Sequence, residues 1–178
     1  TAKIIVTPSD HLILRESEFE KTIARALAFI DKNDVLLTMG IKPIRPDTGY
    51  GYIQHEEENL DGVFKVKAFT EKPEKELAKA FIKSGEFLWN SGTFIWSAKA
   101  INKAIKEFLP EVHEAIAGVA EYFFTPEETK AIHSAYTQCT SVSIDYGVME
   151  KASNTYVLPA DFGWSDIGTW ASLYDVYE

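Results

Sequence analysis

Phe69-Thr70-Glu71-Lys72-Pro73, followed downstream by Leu88-Trp89-Asn90-Ser91-Gly92-Thr93-Phe94-Ile95-Trp96, decides how this chain reads. Just before the first segment ends, Val66-Lys67-Ala68-Phe69 alternates apolar and polar residues in the manner of a half-buried strand. Glu71 and Lys72 follow at its end, beside Pro73, whose ring fixes the backbone and favours a rigid local shape. In the second segment Asn90, Ser91 and Gly92 interrupt an aromatic run where a purely structural strand would carry larger side chains. An adjacent acid and base, with a small polar turn between tryptophans, suit a pocket that grips a sugar phosphate. Lysine meets phosphate as a compact point charge. Glutamate and asparagine exchange hydrogen bonds with hydroxyls.

Working outward, strand and helix patterns alternate. Lys3 to Thr7 reads as a buried strand, entering a loop at Pro8 to His11. A helix is expected over 17–31, with Phe19, Ile23, Leu27 and Ile30 on one face. A strand over 35–40 leads into a loop containing the breakers Pro43, Pro46 and Gly49. Strands are expected over 50–55 and 63–70, with a polar turn from Glu56 to Gly62 between them. A helix over 75–84, a strand over 93–97 and a helical region over 98–135, broken near Pro110 and Pro126, come next. The pattern ends with a helix over 146–152, a strand over 154–159 and a helix from Ser165 to Val176. Such alternation predicts a three-layer α/β domain with a mixed, largely parallel sheet. Ligands of these sheets sit outside the carboxyl ends of the strands. Pro8-Ser9-Asp10-His11, the loop around Tyr50, the Glu71-Lys72 pair and Trp164-Ser165-Asp166 all fall at strand ends or in loops, so they are placed to converge.

Composition narrows the partners. A formal charge of −9 argues against a broad nucleic-acid surface, while leaving room for a phosphorylated small molecule neutralised by a few cations. The chain of 178 residues is long enough for one domain with a sizeable core. Cys139 is the single cysteine, which excludes an internal disulfide and fits a cytoplasmic, reducing setting. No apolar run approaches the ~18 residues that a membrane span needs, so no membrane partner is expected.

Six motifs taken in order carry a family resemblance: PSDH (Pro8 to His11), TGYGYI (Thr48 to Ile53), FTEKP, WNSGTFIW, SIDYGVMEK (Ser143 to Lys151) and GWSDIGTW (Gly163 to Trp170). Together they closely resemble the mannose-1-phosphate guanylyltransferases (GDP-mannose pyrophosphorylases) of the sugar-1-phosphate nucleotidyltransferase family, over essentially the whole chain. The resemblance implies a Rossmann-like, GT-A-like catalytic domain. It also implies the reaction GTP plus mannose 1-phosphate giving GDP-mannose plus pyrophosphate, with Mg²⁺ as cofactor. The family opens with a glycine-rich nucleotide loop, GGxGxRLxPxS, and this chain enters the pattern only at the strand leading to PSDH. The expectation is therefore a single, N-terminally truncated domain over 1–178 that holds the sugar-phosphate and metal half. Such a fragment is expected to be weak or inactive alone, with self-association through exposed edges. The alternative is a non-catalytic sugar-phosphate-binding module. A glycosyltransferase ranks lower, because no Asp-x-Asp motif lies at a strand end.

By the resemblance, Asp10 and Asp166 are the metal aspartates and Lys72 a catalytic contact to phosphate. Glu71, Asn90, Gly92, Asp145, Gly49, Tyr50 and Gly51 line the sugar site, with Tyr50 packing over the sugar. Each has a plainer reading. Asp10 suits a turn, and Asp166 suits a helix cap. Gly49 and Gly51 bound a turn, and Glu71 with Lys72 form a solvated pair. Asn90 satisfies turn amides, and Gly92 serves a β-bulge. Asp145 is divided between N-cap and sugar contact, and Trp164 between core and pocket wall. His11 reads as structural.

Overall fold

The aromatic run is one continuous strand, and the domain is organised around it. The computed structural model describes residues 2–168 and 170–177. In chain order the elements are β1 (Lys3–Val6), β2 (Leu12–Ile13), α1 (Glu16–Lys32), β3 (Leu36–Ile41), β4 (Tyr52–Leu60), β5 (Val63–Thr70), α2 (Lys75–Ser84) and β6 (Phe87–Ser97). There follow α3 (Ala98–Phe108), α4 (Pro110–Ala117), α5 (Glu128–Gln138), a π-turn (Asp145–Met149), β7 (Thr155–Ala160), β8 (Trp164–Ser165) and α6 (Trp170–Tyr177). Thr169, which belongs to the last motif and to the expected C-terminal helix, lies outside the described residues, as do Thr1 and Glu178.

Six strands form the main sheet in the order β1-β6-β3-β7-β5-β4. β1, β3, β4 and β7 share one direction, and β5 and β6 run against it. The α/β class and mixed sheet match the sequence reading. Most hydrogen-bonded neighbours are nonetheless antiparallel, because the two opposing strands are interleaved among the others. The parallel ladder among the described strands is β3–β7. The first half of β6 also pairs with β4, so the ladders close a circuit β6–β3–β7–β5–β4. Ile53, Leu88 and Val157 fill the space inside this closure.

Side-chain alternation explains the layering. On β3, Leu37 and Met39 face α1 and join Ala26, Phe29, Ile30, Ile95 and Leu158 in one cluster. Leu36 faces the other way, with Phe94 and Trp96, against Ala100, Ile101 and Ala104 of α3 and Val148 and Met149 of the π-turn. β3 is buried on both faces along most of its length, as a central strand of a three-layer domain must be. Ser97 caps α3 by accepting from the amide of Ala100 at 3.0 Å, and Pro110 opens α4, where its missing N–H costs nothing.

Three expectations are corrected. The apolar run of β1 predicts a buried strand, yet Ile4, Ile5 and Val6 are 37–44% exposed. The strand lies at the end of the sheet order, beyond β6, and an apolar run alone does not distinguish edge from centre. The polar segment from Glu56 is strand, not turn. β4 runs to Leu60, and the chain reverses at Asp61-Gly62, both left-handed (φ 54° and 73°), as the primed hairpin turns require. Ser165 is not the start of a helix but part of β8, which pairs with β2 in a small second ribbon, in the register Leu12↔Ser165 and Ile13↔Trp164.

Candidate functional site

The bulge in β6 creates the floor of a cleft. Thr38 pairs with Phe94 and Gly40 with Asn90, so β6 spends two more residues than β3 between these pairs. Gly92 takes φ +71° there, and a Cβ on it would meet Pro8 Cγ at 3.1 Å. A bulge of this kind re-aims the side chains around it. Asn90 is turned outward, its Oδ1 accepting from Thr38 Oγ1 (3.2 Å) and the Gly92 amide (3.2 Å), its Nδ2 donating to Asp145 Oδ1 at 2.7 Å. Ser91 turns inward and donates to the Met39 carbonyl at 2.8 Å.

A cleft of about 180 Å³ opens above this floor. Gly49, Tyr50, Gly51, Glu71, Asn90, Gly92, Asp145 and Asp166 all line it, together with His11, Ser91 and Trp164. Segments far apart in sequence thus meet at one cleft. Asp145 does not cap the π-turn; its carboxylate faces the cleft. Glu71 is half-buried near it. Burial first, then the charge of Asp145, push the Glu71 carboxyl above the usual carboxylate range, with Lys72 pulling the other way. Gly51 has no side chain because the Glu71 carboxylate occupies the space a Cβ would take.

Two residues of the sequence reading stand outside the lining. Lys72 is exposed and left-handed (φ 46°), close enough to Glu71 to be felt electrostatically. Asp10 is exposed next to the lining residue His11. The β2–β8 ribbon relates it to Asp166: one step outward from the Leu12–Ser165 pair stand His11 and Asp166, and Asp10 is the next residue. Both aspartates therefore leave the same end of one ribbon.

Asp166 is held from several sides. Its Oδ1 accepts from Tyr50 Oη at 2.8 Å and from the Gly168 amide at 3.0 Å. Among the hydrogen bonds of the described residues none reaches Oδ2 of Asp166, and none reaches the Asp10 carboxylate. No group of three or more His, Cys, Asp or Glu among the described residues is placed to hold an ion. Two carboxylates with free oxygens suit Mg²⁺, which takes one or two carboxylates and fills its other positions with water and phosphate oxygens.

Tyr50 lines the cleft from within an aromatic slot. Its ring is only 7% exposed, wedged edge-on between Trp89 (4.9 Å) and Trp164 (5.2 Å). Burial, then the hydrogen bond to Asp166, raise the phenol well above its ordinary pKa, so it remains a donor. Trp164 is a pocket wall, and its Nε1 donates to His11 Nδ1 at 3.1 Å. The sequence reading missed Arg45, which lies over the Tyr50 and Trp89 rings at 5.8 and 5.5 Å. The available signal was a lone arginine between Pro43 and Pro46, ahead of Asp47. A larger cleft of about 430 Å³, lined among others by Ile105, Leu109, Val112, Ile116 and Cys139, carries none of the motif residues expected to meet ligand and no charged side chain for a phosphate.

A mixed sheet with helices on both faces, and a loop-built cleft at its edge, define a Rossmann-like α/β domain. The nucleotidyl transferase family model matches residues 1–178, and the chain belongs to that family. It is 38% identical to the xanthan biosynthesis protein XanB of Xanthomonas campestris pv. campestris over 176 residues, 98% of this chain and 37% of the relative. It is 36% identical to a mannose-1-phosphate guanylyltransferase of Klebsiella pneumoniae, covering 97% of this chain and 37% of that protein. In three dimensions it is similar to the crystal structure of a Thermus thermophilus protein described as a mannose-1-phosphate geranyltransferase, with a TM-score of 0.88 and 29% identity, covering 99% of this chain and 50% of that one. The chain thus spans 37% of the length of these two curated relatives. No helix among the described residues is long and apolar enough to cross a membrane.

Proposed function

We propose that this domain provides the sugar-phosphate and metal side of a guanylyl-transfer site, in an enzyme that converts GTP and mannose 1-phosphate to GDP-mannose and pyrophosphate. The observation that carries the reading is the convergence of residues 49–51, 71, 90–92, 145 and 166 on one cleft. A phosphate oxygen of the sugar phosphate attacks the α-phosphorus of GTP in line; the new P–O bond forms as the bond to pyrophosphate breaks. No side-chain nucleophile is needed, and positioning with charge stabilisation supplies the catalysis. Glu71 and Asp145 accept from sugar hydroxyls, the Asn90 amide fixes Asp145, and Lys72 meets the phosphate as it reaches over from its left-handed turn. Asp10 and Asp166 would hold Mg²⁺, whose charge offsets the repulsion between two anionic reactants. GTP, Mg²⁺ and a cytoplasmic setting follow from the family resemblance and from the lone thiol, Cys139.

Two measurements on the full-length protein test this. Calorimetric titration with mannose 1-phosphate is expected to show saturable binding that Lys72→Ala or Glu71→Ala weakens at least tenfold. Pyrophosphate release from GTP and mannose 1-phosphate is expected to need Mg²⁺ and to vanish in Asp10→Ala and Asp166→Ala. Undiminished turnover in both aspartate variants would overturn the metal assignment. Binding with no pyrophosphate release would favour a non-catalytic module.

A further inference from the structure

Arg45 belongs to none of the six motifs, yet it is built in behind the cleft wall. Its guanidinium is anchored by Asp47, with Nε donating to Oδ2 at 3.0 Å, and Asp47 Oδ1 in turn accepts from the Gly49 amide at 2.8 Å. From this anchorage Arg45 Nη2 donates to Tyr50 Oη at 3.3 Å, and Tyr50 Oη donates onward to Asp166 Oδ1 at 2.8 Å. The direction of donation is fixed. Arginine has no acceptor, so the phenol oxygen must accept from Arg45 and spend its single proton on Asp166. Successive hydrogen bonds pointing the same way polarise one another.

We propose that Arg45 is a positioning residue that acts through Tyr50 to fix the rotation of the Asp166 carboxylate, committing Oδ1 to the protein and leaving Oδ2 for a cation. The two indoles prevent the phenol from swinging away: the ring is wedged between Trp89 and Trp164. The inference rests on the reading of Asp166 as a metal ligand. It adds that the ligand's geometry is set from the loop at residues 42–50 and not only from the Trp164–Asp166 segment.

The test is Mn²⁺ affinity of the full-length protein, read by electron paramagnetic resonance with Mn²⁺ alone as the probe. Tyr50→Phe keeps the ring in its aromatic slot and removes the donor; it is expected to weaken Mn²⁺ binding about fivefold to tenfold. Arg45→Gln is expected to weaken it about threefold, and the Arg45→Gln/Tyr50→Phe double variant to match Tyr50→Phe alone, because the arginine works through the phenol. Arg45→Lys, which keeps the charge and loses the fork, replaces Arg45→Gln if the near-ultraviolet circular dichroism of the tryptophans changes. Additive losses, or unchanged affinity in Tyr50→Phe when Asp166→Asn abolishes binding, overturn the positioning role while leaving the metal site standing. Unchanged Mn²⁺ binding in Asp166→Asn overturns the metal reading itself, and the inference with it.

Discussion

The carboxylate of Glu71 lies over the Cα of Gly51, in the space that any side chain at residue 51 would fill. Gly51 is therefore a glycine for reasons of room and not of backbone angle; its φ is not positive. The obstructing group is the far end of a flexible side chain, so an added methyl displaces Glu71 more readily than it strains the fold. Gly51→Ala is expected to leave the melting temperature within about 2 °C of the parent, an effect of roughly 0.5 kcal/mol. Affinity for mannose 1-phosphate is expected to fall about tenfold, the loss of one good contact to a charged group. Differential scanning calorimetry and a binding titration separate the two effects.

Glu71 also makes stability depend on pH. Burial and the charge of Asp145 raise its carboxyl in the folded protein, so the folded state holds that proton more tightly than the unfolded chain. The contribution is fully present below the unfolded carboxylate pKa and is lost as pH rises through the folded one. Glu71→Gln has the same shape without the charge. It is expected to melt above the parent at about pH 7 and to lose that advantage toward about pH 4.

Asn90 supports the charge of Asp145. Its Nδ2 stands 2.7 Å from Asp145 Oδ1 and is the donor that makes a carboxylate acceptable there. Asn90→Asp sets two carboxylates against each other and is expected to destabilise by roughly 1–3 kcal/mol near neutral pH. The deficit should shrink in acid, as the pair comes to share a proton. Urea unfolding at two pH values measures it.

Gly92 combines a left-handed backbone with a close neighbour, Pro8. Gly92→Ala is expected to destabilise by about 1–2 kcal/mol and to disturb the Pro8–His11 loop, which chemical denaturation and the His11 ring resonances would register.

Much of this fold was legible because local and global preferences agree. α2 was readable to the residue: Gly85, left-handed at φ 76°, ends it. α1 announced itself by the spacing of Phe19, Ile23, Leu27 and Ile30, all in or against one core cluster. β2 and β8 were not legible, because two-residue strands carry no period and exist only through each other. The start of β6 was hidden for the opposite reason: a bulge breaks the alternation, and Asn90-Ser91-Gly92 looks like a turn when read alone. The cleft lining was visible as motifs, since polar residues beside strand ends have few other reasons to be there. For Arg45 the sequence offered only its place between two prolines, because its contacts with Tyr50 and Trp89, and through Tyr50 with Asp166, are made by folding.

The two-pair ladder of β2 and β8 is prolonged toward the core by the Leu14 amide on the Gly163 carbonyl (3.1 Å) and the Arg15 amide on the Phe162 carbonyl (2.9 Å). Phe162 is fully buried. The loops carrying Asp10 and Asp166 are thus yoked to each other and share one root. A substitution that shifts the register of this ribbon is therefore expected to displace both acids at once.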